Sequence, residues 1–248
     1  MKLTENTIFI TGGGSGIGRG LAEALHKLGN QVIISGRRQS RLQETLKANP
    51  GMLAIELDIE NPASIAAVAK QLIEEHPTLN VLINNAGIMQ IDNLATEVDD
   101  ALLVSTLTTN LMGPIRMTSA LIEHFKRQPS ATVVNVSSVL GFVPMAVAGV
   151  YSSTKAAIHS YSQSLRYQLK GTSVNVQEIA PPWVQTDLLG SNDEPRAMPL
   201  AQFIEETMTA LATDADEVLV EHARMMRNNP GANEAAFVNQ FNDMFLAG

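Results

Sequence analysis

The sequence predicts an α/β fold, a doubly wound parallel sheet of six to seven strands with helices on both faces, and three observations predict it. Strand-like and helix-like segments alternate along most of the chain. The lengths of these segments suit right-handed crossovers between parallel strands. A glycine-rich turn joins the first strand to the first helix.

The first strand is the β-branched run Thr7–Thr11, followed by five glycines among seven residues and then by helical apolar spacing through Ile17, Leu21, Ala24, Leu25 and Leu28. Gly29-Asn30 ends that helix, and Gln31–Ser35 reads as a second buried strand. A helix over Ser40–Ala48 closes on Asn49-Pro50-Gly51, and Met52–Leu57 is the third strand. Pro62–Glu75 is an amphipathic helix with Pro62 in its first turn and Asn61 as its cap. Val81–Asn84 is the fourth strand, Asp99 to about Lys126 a long helical tract, and Thr132–Val136 the fifth strand. Tyr151 to about Leu169 reads as a long helix and Val174–Ile179 as the sixth strand. Beyond it, Leu188–Pro199 reads as a flexible loop, Phe203–Leu211 as a helix and Glu217–Val220 as a short seventh strand. A C-terminal helix over about 232–246, from Glu234 to Leu246, carries Phe237, Phe241 and Phe245 on one face. With no internal repeat and no linker, residues 1–248 are read as one domain with a substrate loop over about 187–215.

Composition narrows the function. At 248 residues, 45% hydrophobic and 17% charged, the chain can bury a substantial core. A net charge of −8 argues against nucleic acid or an anionic membrane as a partner. The absence of cysteine excludes disulfides, thiolate nucleophiles and cysteine metal sites, and it fits a cytoplasmic location. The uncharged run Pro129–Thr154 is long enough to span a bilayer, but Asn135, five serines, two prolines and two glycines make a buried strand running into a loop the better account. No targeting or integral membrane segment is expected.

The glycine turn is a phosphate site by its placement. Gly12, Gly16 and Gly18 lack the Cβ atoms that would hold a pyrophosphate away, and the helix starting near Gly16 offers unpaired N–H groups and its positive dipole end. No lysine follows in P-loop spacing, and the strict GxGxxG pattern fails at Ile17, Arg19 and Leu21. What stands is TGxxxGxG, with a turn that binds nothing as the bland alternative. Where an acidic residue would meet the ribose 2′-hydroxyl of NAD, the chain has Gly36, then Arg37 and Arg38. Guanidinium groups pair with a 2′-phosphate, so NADP(H) is favoured over NAD(H), the alternative being two arginines on a solvated helix start. Asp58, at the end of the third strand, is placed to accept from the adenine amino group, and Asn85-Ala86-Gly87 lines the side where a cofactor would lie.

Tyr151 and Lys155, four apart, share a helix face behind Ser137-Ser138. An ammonium and a cationic oxidised nicotinamide both favour the phenolate, so Tyr151 can exchange a proton with an alcohol or carbonyl oxygen that Ser138 also binds. Lys155 would also hold the ribose hydroxyls. Asn110, the conspicuous polar residue of its helix, could fix a proton-relaying water. A surface contact between Tyr151 and Lys155 is the plainer alternative.

With Thr11-Gly12-Gly13-Gly14-Ser15-Gly16-Ile17-Gly18, Asn84-Asn85-Ala86-Gly87, Asn110, Ser138 and Tyr151-Ser152-Ser153-Thr154-Lys155 in order from residue 4 to about 190, the chain resembles the short-chain dehydrogenase/reductase family. The resemblance implies a Rossmann-type sheet of order 3-2-1-4-5-6-7 and a catalytic tetrad of Asn110, Ser138, Tyr151 and Lys155. It also implies cofactor contacts along Gly12, Gly14, Ser15, Gly16, Ile17, Gly18, Arg37, Arg38, Asp58, Ile59, Asn85, Ala86, Gly87 and Pro181, with Thr186 and the backbone of Val184 at the nicotinamide carboxamide. It implies a homodimer or homotetramer packed through the two long central helices. Two departures stand out: Pro182 replaces the usual glycine after the sixth strand, and Asn229-Pro230-Gly231 with the phenylalanine helix replaces a glycine-rich ending. Both features are similar to those of oxidoreductases encoded beside lipoteichoic acid D-alanylation genes.

Ile88, Met89, Leu140, Phe142, Met145, Trp183 and Leu188 form the expected pocket wall, with no basic cluster, which points to a neutral, moderately hydrophobic carbonyl or alcohol. The five histidines show no metal-ligand spacing and receive no role. A nucleotide-responsive binding protein on the same fold is the main rival, although it would need no phenol and ammonium at these places. A nucleotide-sugar epimerase or dehydratase would need a longer C-terminal region.

Overall fold

A computed structural model describes residues 1–228 and 231–246. Along β1 (Thr7–Thr11), Ile8 and Ile10 enter one apolar cluster, and Phe9 between them enters another. Successive strand side chains point to opposite faces, so a strand covered on both sides is apolar throughout. Six further strands, β2 (Gln31–Gly36), β3 (Leu53–Glu56), β4 (Leu79–Asn84), β5 (Ala131–Val136), β6 (Val174–Ile179) and β7 (Glu217–Val218), complete the sheet. All are parallel, in the order β3-β2-β1-β4-β5-β6-β7, as expected. The order reverses between β1 and β4, where the loops leaving the two strands part and open a crevice.

The helices are α1 (Gly16–Lys27), α2 (Gln39–Ala48), α3 (Pro62–Glu75), α4 (Asp100–Leu107), α5 (Gly113–Phe125), α6 (Gly149–Gln168), α7 (Leu200–Leu211), α8 (Glu221–Arg227) and α9 (Glu234–Leu246). Leu21 and Leu25 of α1, Leu42 of α2 and Phe203 and Leu211 of α7 join the cluster of Ile8 and Ile10. Leu72 of α3 and Met117, Leu121 and Phe125 of α5 join that of Phe9, with Leu165 of α6 against it. Each such side chain contributes about 1.5–3 kcal/mol on burial. Asn61 caps α3 as expected, its Oδ1 accepting from Ala63 N at 2.9 Å and Ser64 N at 3.4 Å. No helix among the described residues is long and apolar enough to cross a membrane.

Three differences from the sequence reading have local causes. The tract expected as one helix from Asp99 is broken by a π turn at Thr108–Met112. Pro114 cannot donate to the carbonyl of Asn110 four residues back, and its ring crowds that carbonyl, so the ladder widens there. The expected flexible loop after Leu188 contains a short helical pair over Leu188–Asp193, pinned where Trp183 Nε1 donates to Ser191 Oγ at 2.9 Å and Met198 N to Trp183 O at 2.8 Å. The seven-residue α8 was not anticipated, being too short for its periodicity to register. At the C-terminus Phe241 is buried, and Asn242 clips α9 to the Pro144–Ala146 turn by donating to Pro144 O at 3.0 Å and accepting from Ala146 N. Asn229, Pro230 and the side chain of Phe245 lie outside the described residues.

A Cβ on Gly113 would fall 2.6 Å from Ile59 Cγ1 and 3.0 Å from Ile59 O. Gly113→Ala is therefore expected to destabilise the fold by about 1–3 kcal/mol, read as a lower urea midpoint at unchanged slope.

Candidate active site

β1 ends on Thr11, whose Oγ1 accepts from Asn85 N at 3.0 Å and Ala86 N at 3.1 Å. Asn85 Nδ2 donates in return to the carbonyls of Thr11 and Gly12 at 3.0 and 3.1 Å. The glycine turn is thus strapped to the chain leaving β4. A Cβ on Gly18 would stand 2.3 Å from Asn85 Nδ2 and 2.4 Å from Gly12 O. Gly12 and Gly16 have φ of +69° and +52°, a region costly for other residues. The turn's own closure thus requires glycine at these positions, a reason the sequence reading did not give.

A cleft of about 660 Å³ opens over the turn and the first turn of α1. Gly12, Gly14, Ser15, Gly16, Ile17 and Gly18 form its floor, facing Asn85, Ala86 and Gly87, with Ile59 in the wall. Arg37 and Arg38 stand at one end, joined by Arg41, which the sequence reading missed. Arg38 Nη2 donates to Ser15 Oγ at 3.0 Å, Arg37 Nη1 pairs with Glu60 at 2.8 Å, and Arg41 reaches Glu44 at 3.2 Å and Asp187 at 3.9 Å. Asp58 stands apart from this lining: its Oδ1 accepts from Glu60 N at 3.1 Å, while its neighbours Leu57 and Ile59 face the cleft.

At the other end Ser138, Tyr151 and Lys155 meet Pro181, Val184 and Thr186. Tyr151 and Lys155 lie one turn apart on α6, 7% and 4% exposed, with Nζ 5.4 Å from the phenol ring centre. Burial pushes the Tyr151 phenol up to about 12, against the lowering effect of its hydrogen bond with Ser138. Burial pulls the Lys155 ammonium down to about 8, against the raising effect of the Glu178 charge. With these shifts Tyr151 stands as a phenol and Lys155 mostly as an ammonium near neutrality. Nζ donates to Val136 O at 2.9 Å.

Asn110 sits in the π turn, 1% exposed, and grips the chain after Gly87: Oδ1 accepts from Ile88 N and Nδ2 donates to Ile88 O, both at 2.8 Å. A third contact runs to Thr154 Oγ1 at 3.3 Å. Asn110 braces the cleft and is absent from its lining.

Ile88, Met89, Leu140, Met145, Trp183 and Leu188 line the cleft as expected. Phe142 does not; its ring meets His159 edge-on at 5.0 Å, with the Arg227 guanidinium 5.0 Å away. Met226 and Phe241, from the C-terminal region, complete the wall. The sequence marked Phe241 on an apolar helix face without showing where that face would dock, and it gave no reading of Met226, which lies on α8. Among the described residues no cluster of His, Asp and Glu could hold a metal ion.

A dinucleotide fits this chemistry. Donors of the α1 N-terminus sit mid-cleft, guanidinium groups at one end, and Thr109 Oγ1 is buried in the cleft wall without a partner. A parallel sheet with a glycine turn at its switch point and a Tyr-Lys pair across the crevice defines a nucleotide-dependent oxidoreductase. The family model for short chain dehydrogenases matches residues 6–197, and the chain belongs to that family. It is 36% identical to the uncharacterized oxidoreductase DltE of Bacillus subtilis (strain 168) over 248 residues, 98% of each chain, which upholds the narrower resemblance. In structure it is similar to a short chain dehydrogenase from Burkholderia cenocepacia J2315 in complex with NADP (TM-score 0.85, 24% identity, 97% of this chain and 98% of that one). It is also similar to a short chain dehydrogenase/reductase from Burkholderia phymatum in complex with NAD (TM-score 0.82, 21% identity, 100% and 97%). Structural neighbours of this fold thus bind either nicotinamide dinucleotide.

Thr11→Val keeps the shape of the strap residue but leaves two N–H groups without their acceptor. A loss of about 2–4 kcal/mol in unfolding free energy is expected, measured by urea denaturation.

Proposed function

We propose that the chain is an NADP(H)-dependent oxidoreductase that interconverts a neutral, moderately hydrophobic carbonyl compound and its alcohol, with Tyr151 as acid and base. The observation that carries this reading is Tyr151 itself: a buried phenol bonded to Ser138, one helical turn from an ammonium, at the end of the cleft opposite the arginines.

Gly12, Gly14, Ser15, Gly16, Ile17 and Gly18 would hold the pyrophosphate, Arg37 and Arg38 with Ser15 the 2′-phosphate, and Thr186 and the backbone of Val184 the carboxamide. When bound, the cofactor supplies or accepts the hydride. Ser138 and Tyr151 hold the substrate oxygen between two hydroxyls. Tyr151, protonated through the neutral range, gives its proton to that oxygen as charge develops there. The phenolate left behind is stabilised by Lys155, which Val136 O keeps aimed into the site. Alcohol oxidation runs through the same groups in reverse. Asn110 contributes by holding Ile88 and the Gly87 turn in place. The apolar wall of Met89, Leu140, Met145, Trp183 and Phe241 supports an uncharged substrate. Exposed Val104 of α4 and Met112 of the π turn support self-association through that tract, and the cysteine-free sequence supports work in the cytoplasm.

Tyr151→Phe is expected to lower kcat by about 10²–10⁴-fold at nearly unchanged NADPH affinity, followed as NADPH oxidation across a carbonyl panel. Equal turnover would remove Tyr151 as the acid, and cofactor binding without wild-type turnover on a broad panel would favour the binding protein. Arg38→Ala is expected to weaken NADPH about 10–100-fold, the loss of one charge-assisted contact, while NADH binding stays within about threefold. Equal losses for both cofactors in titration calorimetry would overturn the NADP preference.

A further inference from the structure

β6 carries a carboxylate that the chemistry above does not use. Glu178 is fully buried, and both its oxygens are engaged: Ser137 Oγ donates to Oε1 at 2.5 Å, and His159 Nδ1 stands 2.8 Å from Oε2. Gln163 Nε2, an amide donor, faces His159 Nε2 at 3.0 Å. The hydrogen-bond pattern thus assigns the imidazole proton to Nδ1, which gives it to Glu178. The carboxylate lies between serine and histidine, so the imidazole cannot take the serine proton, and the trio is no nucleophile relay.

Its place in the fold points elsewhere. Tyr151, Lys155, His159 and Ser162 follow one another at helical spacing, so one stripe of α6 carries them all. Glu178 pairs in register with Asn135 of β5, and Asn135 Nδ2 donates to Ser162 Oγ at 2.9 Å. The sheet face bearing Glu178 is therefore the one this stripe covers. A buried ammonium calls for an opposite charge, and Tyr151 offers none until it has released its proton. Lys155 Nζ donates to the carbonyl of Val136 at 2.9 Å, and the next residue, Ser137, bonds Glu178, so this carboxylate is the acidic group placed to act on Lys155. The other ionisable neighbours are His159 on α6, Glu217, which pairs in register with Glu178 on β7, and Arg227 on α8, whose guanidinium bonds Glu217 at 2.6 and 2.9 Å and so offsets that second carboxylate.

We propose that Glu178 is the resting counter-charge of Lys155, a positioning residue held by Ser137 and His159 that keeps the ammonium charged for proton transfer. This rests on the reading of Tyr151 and Lys155 as acid and supporting cation.

The test reads Lys155 directly. It lines the cleft, so acylation by acetic anhydride across a pH series, followed by peptide mass spectrometry on the protein without cofactor or substrate, reports its free amine. Wild type is expected to turn near pH 8, where burial has set Lys155. Glu178→Gln should lower that midpoint by about one pH unit, roughly a tenfold rise in labelling near neutrality, and Glu178→Asp should restore most of it. The alkaline limb of kcat/KM for NADPH-driven reduction should fall by the same amount. A folded Glu178→Gln protein with wild-type midpoints would overturn the proposal. Should that variant not fold, Ser137→Ala and His159→Gln loosen the same carboxylate and must shift the labelling midpoint in the same direction; an unmoved midpoint in both overturns it. A wild-type protein that reduces no carbonyl would defeat the proposed function, while the labelling would still decide the role of Glu178.

Discussion

The hydroxyl of Thr11 holds together the two halves of this structure. β1 and β4 diverge at the switch point of the sheet, where no ladder hydrogen bonds remain to tie the loops they feed. One side-chain oxygen accepting two backbone N–H groups, with Asn85 returning two bonds to the turn, replaces that ladder. A buried N–H left unpaired costs about 1–3 kcal/mol, so the strap is a strong local constraint. It also sets where α1 begins, and hence where its unpaired N–H groups point.

On the face covered by α5 and α6, the strands change character toward their carboxyl ends. Leu82, Val133 and Val176 pack into the apolar cluster there, yet two positions further along the same face stand Asn84, Asn135 and Glu178. Asn84 Nδ2 donates to Thr118 Oγ1 and Asn135 Oδ1, both at 2.9 Å, and Asn135 continues to Ser162. The apolar core thus gives way to a hydrogen-bonded seam one pleat before the cleft. Asn84 Oδ1 is left without a partner, but the directional bonds of the seam admit fewer arrangements than a greasy interface would, and they fix α6 in rotation as well as in distance. That rotation determines which way Tyr151 and Lys155 face.

The fold was legible because its signals are local. Apolar strand runs, the Asn61 cap and the glycine turn each announce themselves within a few residues, and β1, α3 and β6 fall at the bounds the sequence implies. The residues expected to gather at the cleft were legible through spacing: Tyr151 and Lys155 need only a helix to share a face. What the sequence hid depends on distant contacts. Asp58 is turned to Glu60, Phe142 to His159, and Arg41 reaches the cleft because α2 crosses above Gly14. The π turn had a readable cue in Pro114 four residues after Asn110, which the strong helical periodicity around it concealed. Glu178 and His159 had a fainter cue, since His159 lies one turn beyond Lys155.

The family match ends at residue 197, yet Met226 and Phe241 close the apolar end of the cleft, and Asn242 fastens the helix that carries Phe241. On the proposed function, the groups assigned to proton and hydride transfer therefore lie in one stretch of chain and the proposed far wall of the substrate site in another. Drift in the terminal helix can reshape what the cleft admits while the reacting groups stay as they are. A lineage built on this plan can acquire new substrates by altering its tail.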